Sequence, residues 1–207
     1  MKIKALLYCC KNGKKLVKGL DDYFLEIHSD NYYWKKGMSS PMGLNGKIVC
    51  ECEVETEEIG QHRISLDNGC GYDLFYETDT LEDLELQQRS CLDTQQLSNY
   101  FMSNADNGEK VGYALHLSNV KERVMELNQV YKYDNSYNNM FGWVKEEDEK
   151  YIPIEKAPQN MQWCWVYENG KWVKYLLISI RSQWLYKILN REKTIEVRRK
   201  VLKGMCD

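Results

Sequence analysis

Two segments of this chain, 170 residues apart, carry the same pattern of apolar and polar residues. Ala5-Leu6-Leu7-Tyr8-Cys9-Cys10-Lys11 lies over Tyr175-Leu176-Leu177-Ile178-Ser179-Ile180-Arg181, and at the same offset Leu25-Glu26-Ile27 falls on Ile195-Glu196-Val197. Each copy reads as strand, helix, strand: strands over residues 6–10 and 23–28 around a helix over 12–19, then a strand up to 180, a helix over 183–190 capped by Ser182, and a strand over 194–198. A lone unit of this kind can neither close a barrel nor cover its own strand edges. It needs further strands, so the expected fold class is α+β.

The stretch between the copies supplies those strands. Residues 47–57 alternate without a break, with Ile48, Cys50, Cys52 and Val54 on one face and Glu51, Glu53, Glu55 and Glu57 on the other. Residues 111–120 read as another strand. Asn169-Gly170 joins two aromatic-rich runs, 161–167 and 172–180, and predicts a hairpin. Asp79 or Thr80 can cap a helical turn over 81–88, and Ser90 a second helix over 91–102 that turns Leu92, Leu97 and Phe101 inward. Residues 29–46 and 132–151 read as loops.

Charge is divided along the chain. The net charge is −3, yet residues 171–207 hold ten basic and three acidic residues, a net of +7, which leaves 18 basic and 28 acidic residues, a net of −10, in the first 170. A basic segment beside an acidic body suits phosphate contacts, or docking of one part on the other. No run approaches the roughly 20 apolar residues that span a bilayer. The first residues read as a strand, not a signal peptide, so no membrane is expected and the expected location is cytoplasmic. The eight cysteines form no Cys-x-x-Cys pair and have no His at ligand spacing. They read as small apolar residues of a reducing compartment, with no metal and no cofactor expected. No P-loop, GxGxxG or HExxH pattern occurs, and His28, His62 and His116 share no local motif with a nucleophile.

The C-terminal copy carries a resemblance. Leu177-Ile178-Ser179-Ile180, the helix Trp184-Leu185-Tyr186-Lys187-Ile188-Leu189-Asn190, and Glu192-Lys193-Thr194-Ile195-Glu196-Val197-Arg198 resemble the opening of an ASCH domain, a PUA-like β-barrel family. Arg191 stands where the family's turn often has Gly. Residues 154–160 look like the closing segment of such a domain. The resemblance implies an ASCH-like, PUA-like mixed β-barrel with short helices over 1–167, followed at 172–207 by a partial second copy, a strand–helix–strand appendage. That appendage must pack on the first domain, pair with another chain as in a homodimer, or stay partly exposed.

The family is associated with RNA binding, so the resemblance implies a non-catalytic, RNA-binding protein. Lys187, Lys193, Thr194, Arg198, Arg199 and Lys200 would then meet phosphates and Trp184 a base, with Tyr33, Trp34, Lys35 and Lys36 as a second aromatic–basic cluster. Some relatives resemble amidohydrolases acting on acetylated cytidine through a Lys, a Thr and a Glu. Lys193 and Thr194 match that motif, but Glu196 stands where the family's catalytic Thr lies. A different class of function comes from Glu51, Glu53, Glu55 and Glu57. Carboxylates about 6.6 Å apart along a strand approach the periodicity of nucleic-acid phosphates. Such a row could block a nucleic-acid-binding protein, as a counter-defence inhibitor of a phage or mobile element would.

Overall fold

The computed structural model describes residues 2–10, 46–56, 63–66, 74–76, 83–93, 95–97, 100, 110–134 and 151–205. Among these residues ten strands and a few short helices form an α+β fold built on a mixed sheet. The strands are β1 (Lys2–Cys9), β2 (Lys47–Glu55), β3 (Arg63–Leu66), β4 (Leu74–Tyr76), β5 (Lys110–Glu126), β6 (Tyr131–Tyr133), β7 (Tyr151–Pro153), β8 (Met161–Glu168), β9 (Lys171–Ile180) and β10 (Ile195–Arg198). The helices are α1 (Asp83–Ser90) and α2 (Ser182–Leu189), with a 3-10 turn at Leu127–Gln129. Hydrogen bonding follows the order β4-β3-β5-β2-β1-β9-β8-β6-β7, with β10 also on β5. Among the described residues this path is open, since β4 and β7 at its ends are not neighbours. No helix among them is long and apolar enough to cross a membrane.

The chain divides into two compact units, Met1–Ile3 with Cys52–Val120 and Lys187–Asp207, and Lys4–Glu51 with Lys121–Tyr186. In the first, β3 pairs antiparallel with β4 and β5, and β10 pairs antiparallel with β5, Ile195 facing His116 and Arg198 facing Tyr113. Leu86 of α1, Leu97, Ala114, Ile195 and Val197 form its core, with Leu92 and Tyr100 packed against them. In the second, β9 lies between β1 and β8. Its core gathers Leu6, Tyr8, Ile48, Val130, Ile154, Cys164, Val166, Tyr175 and Leu177.

The alternation over 47–55 works as expected, since Ile48, Cys50, Cys52 and Val54 are all buried. Burial also pushes the Cys50 and Cys164 thiols up to about 12, as it must for thiolates with no water around them. The hairpin forms at Asn169-Gly170, both at positive φ (50° and 80°), the pairing a type I′ turn requires.

Two expected caps fall elsewhere. Ser90 ends α1 instead of starting a helix, and Asp93 caps the turn that follows: its Oδ1 accepts from Gln96 N at 2.7 Å and its own N donates to Gln96 Oε1 at 3.1 Å. Ser182 is the first residue of α2, and the Arg181 carbonyl accepts from Trp184 N and Leu185 N. The strand expected over 111–120 is longer, 17 residues. The loop expected over 132–151 has strand at both ends, in β6 and β7. The helix expected over 12–19, the strand over 23–28 and Phe101 lie outside the described residues.

The segment read as an appendage is built into the sheet. Its first strand, β9, has a neighbour on each side, and its second, β10, pairs with β5. The division expected between 167 and 172 falls at the tip of the β8–β9 hairpin, whose strands pair from Met161–Ile178 to Glu168–Lys171. The two matching apolar runs of the sequence are direct parallel neighbours, Leu6 beside Leu177 and Tyr8 beside Ser179.

Candidate nucleic-acid interface

The outer surface of β6–β9 is assembled by pairing register. Directly opposed residues share a face, and faces alternate along a strand. Tyr167 faces Trp172, Trp165 faces Lys174 and Tyr131, and Tyr133 faces Tyr151. These residues and Trp163 therefore lie on one face, while Cys164, Val166, Val173 and Tyr175 point to the core on the other. Tyr151 and Trp172 stack with centroids 4.0 Å apart and planes 19° apart. Tyr131 and Tyr167 meet Trp172 edge-on at 5.1 Å, and Tyr133 meets Tyr151 at 5.4 Å. Lys174 lays its ammonium 4.0 Å from the Trp163 ring centroid. Tyr167 is 55% exposed and the other rings are half-buried, with Lys132, Lys171 and Lys174 exposed.

Behind the hairpin, Arg123 donates to Glu51 Oε2 at 2.6 Å, to Tyr175 Oη at 3.1 Å and to Glu168. Burial works against the Arg123 charge, and the bonds from Glu168, Glu51 and Tyr175 outweigh it, so its pKa is raised. Burial pushes the Tyr175 hydroxyl up to about 12. Tyr175 Oη also lies 3.1 Å from both Glu168 oxygens.

The ASCH-like stretch builds a different arrangement. After α2, Arg191 takes φ 62°, Arg191 N donates to Ile188 O and Glu192 N to Lys187 O. This is a Schellman cap with Arg in the position that favours Gly. It turns Lys193 inward, where its Nζ donates to Ser90 O at 2.6 Å and meets Glu196 Oε2 at 3.3 Å. Glu196 Oε1 holds Arg198 Nη2 at 3.0 Å. Thr194 accepts from Arg89 Nε at 3.1 Å, and Arg89 also binds Glu85 Oε1 at 2.8 Å and His116 Nδ1 at 3.0 Å. Since a guanidinium can only donate, the His116 nitrogen is the acceptor in that bond. Burial pulls the Lys193 pKa below its ordinary value, against the opposing pull of Glu196.

The structure thus draws Lys193, Glu196 and Arg198 into one network and sets Thr194 in another with Arg89, Glu85 and His116; the Lys193 head is turned inward and the residue is 2% exposed. Arg199 is half-buried, its guanidinium 4.9 Å from the Tyr100 ring, and Lys200 is exposed. Trp184 and Lys187 are half-buried on α2. Glu51 is bound by Arg123, Glu53 by Asn119 and Lys2, and Glu55 by Lys2. The Lys2 contact holds the Glu55 carboxyl below its ordinary value. Tyr33, Trp34, Lys35, Lys36 and Glu57 lie outside the described residues. Sequence reasoning missed the β6–β9 aromatics as a group, and missed Arg89, Arg123 and Glu168. The aromatic alternation Trp163, Trp165, Tyr167 was the available signal. Among the described residues no group of three or more His, Cys, Asp or Glu is placed to hold a metal ion.

Comparison with protein-family models, with curated proteins and with solved structures gives no match.

Proposed function

We propose that this protein binds single-stranded nucleic acid, RNA by its ASCH-like resemblance, on the aromatic face of β6–β9. The observation that carries this reading is the stacked Tyr151–Trp172 pair, ringed by Tyr131, Tyr133, Trp165 and Tyr167, with Lys174 over Trp163. Every base has a π-face, so such a platform holds a strand whatever its sequence, at about 1–3 kcal/mol per stacked base. Lys171 and Lys174 supply phosphate neutralisation. Assignment to a PUA-like barrel is part of the same proposal and rests on the motif at 193–198.

The test is fluorescence anisotropy of a labelled single-stranded uridine 12-mer with the whole chain over a salt series. Binding that weakens steeply with salt, and that Tyr167→Ala and Trp163→Ala reduce, supports the reading; no binding at low salt ends it. Cutting the chain after Gly170 is not a usable control, because it removes β9 and β10, the partners of β1, β8 and β5.

One observation favours a second reading, an amidohydrolase. Lys193 is a buried amine with a lowered pKa beside Thr194 and Glu196, as an activated amine would be. Release of acetate from N4-acetylcytidine, lost in Lys193→Ala, would establish it. The pairing of Glu51, Glu53 and Glu55 with cations weighs against an open row of carboxylates that mimics phosphates.

A further inference from the structure

Beside the aromatic face lies a cavity of about 440 Å³, within the roughly 300–1,000 Å³ of small-ligand sites. Among the described residues β6 pairs with β8 only at Tyr131 opposite Trp165, so residues 166–168 run on past that pairing. The 3-10 turn at Leu127–Gln129 stands across from them, and the gap is the cavity. Arg123, Asn128, Gln129, Tyr131, Tyr167 and Glu168 line it.

We infer that this cavity takes one base of the bound strand by its Watson–Crick edge, and that it selects a base whose amino group on that edge lies beside an unprotonated ring nitrogen: adenine or cytosine. The inference rests on the RNA-binding reading above. Tyr131 and Tyr167 belong to both the platform and the cavity, so a strand stacked on the face passes its mouth. Inside, the acceptor is Glu168. A carboxylate offers about four lone-pair sites. Arg123 and the Tyr175 hydroxyl lie against Oε1, and among the described residues Oε2 meets only that hydroxyl, which leaves it a lone pair for an amino N–H. The donor is Asn128, whose exposed amide has no hydrogen-bond partner among the described residues and can reach a ring nitrogen. Gln129 is fixed by its bond from Glu126 N at 2.9 Å, which holds the turn in place. Uracil sets a carbonyl oxygen against the carboxylate, and guanine carries a proton on the ring nitrogen of that edge. Both are disfavoured.

The experiment uses the whole chain and four uridine 12-mers: unsubstituted, and with one central adenosine, cytidine or guanosine. Adenosine or cytidine should tighten binding about tenfold over uridine, the scale of one good base contact, and guanosine should not. Glu168→Gln should abolish the preference for adenosine and cytidine over uridine. Its amide must turn the oxygen to Arg123, which leaves an NH2 facing the base. Asn128→Ala, on an exposed side chain, should weaken the preference even if Glu168→Gln fails to fold. Equal binding of all four RNAs overturns the base pocket and leaves the platform standing. Retention of the full preference in both variants overturns the roles of Glu168 and Asn128. Absence of binding to every RNA overturns the platform reading, and the pocket falls with it.

Discussion

Lys193 holds its ammonium 3.3 Å from the Glu196 carboxylate and 2.6 Å from the Ser90 carbonyl oxygen. Glu196 carries two cations, Lys193 and Arg198, and each of the three side chains is at most 11% exposed. Removing the shared anion therefore does more harm than removing either cation. Glu196→Gln should cost about 3 kcal/mol, the scale of an uncompensated buried charge. Lys193→Met should cost less, because Arg198 still balances Glu196 and Met fills much of the volume. Urea unfolding of the two variants decides the order; equal losses would mean that Arg198, not Glu196, organises the network.

The same lysine sets a pH dependence. Its folded pKa lies below the unfolded value of 10.5, chiefly through burial. The unfolded chain then binds more protons in the interval between the two values, so stability rises with pH there. The contribution is fully present above 10.5 and is lost as pH falls through the depressed value. Unfolding free energies of the wild type minus those of Lys193→Met should increase as pH rises toward 10.5. A flat or falling difference would show that Glu196 holds the amine at or above its ordinary pKa.

Two positive-φ positions should respond in opposite directions. At Gly170 (φ 80°) an added Cβ meets nothing within 4 Å, so Gly170→Ala costs only backbone strain, about 1 kcal/mol. Arg191 (φ 62°) occupies the Schellman position on an exposed surface. Arg191→Gly relieves the strain there and should be neutral or stabilising by up to about 1 kcal/mol. Thermal unfolding of both measures this.

On the aromatic face, stacking and charge should separate. Tyr167→Ala should weaken RNA binding about fivefold or more without changing its salt dependence, because a ring contributes stacking. Lys174→Ala should lower the slope of log affinity against log salt by about one, because it removes one phosphate contact. Identical salt slopes in wild type and Lys174→Ala would place the phosphates elsewhere.

Local chemistry determined much of this fold. Alternation over 47–55 specifies a strand with one buried face, because side chains repeat every two residues and only one set is apolar. Asn169-Gly170 specifies its hairpin, because few residues tolerate two successive positive φ values. The run over 194–198 reads as a strand, and Ile195–Arg198 forms it. Periodicity assigns a face but never the neighbour across it, and that is where the sequence fell silent. Ser90 and Asp93 are both good caps, and the pairing with Gln96 chose between them. Only tertiary structure brought Arg89 to Thr194 across 105 residues and Ser90 to Lys193 across 103. Only strand register put Tyr131, Tyr151, Trp165 and Trp172 on one surface, since each was fixed by the residue opposite it. The matching runs at 5–11 and 175–181 were visible as a repeat, but their parallel pairing, Ala5 beside Leu176 to Cys9 beside Ile180, was decided by the sheet, which sets both between β2 and β8 and leaves neither with an open edge.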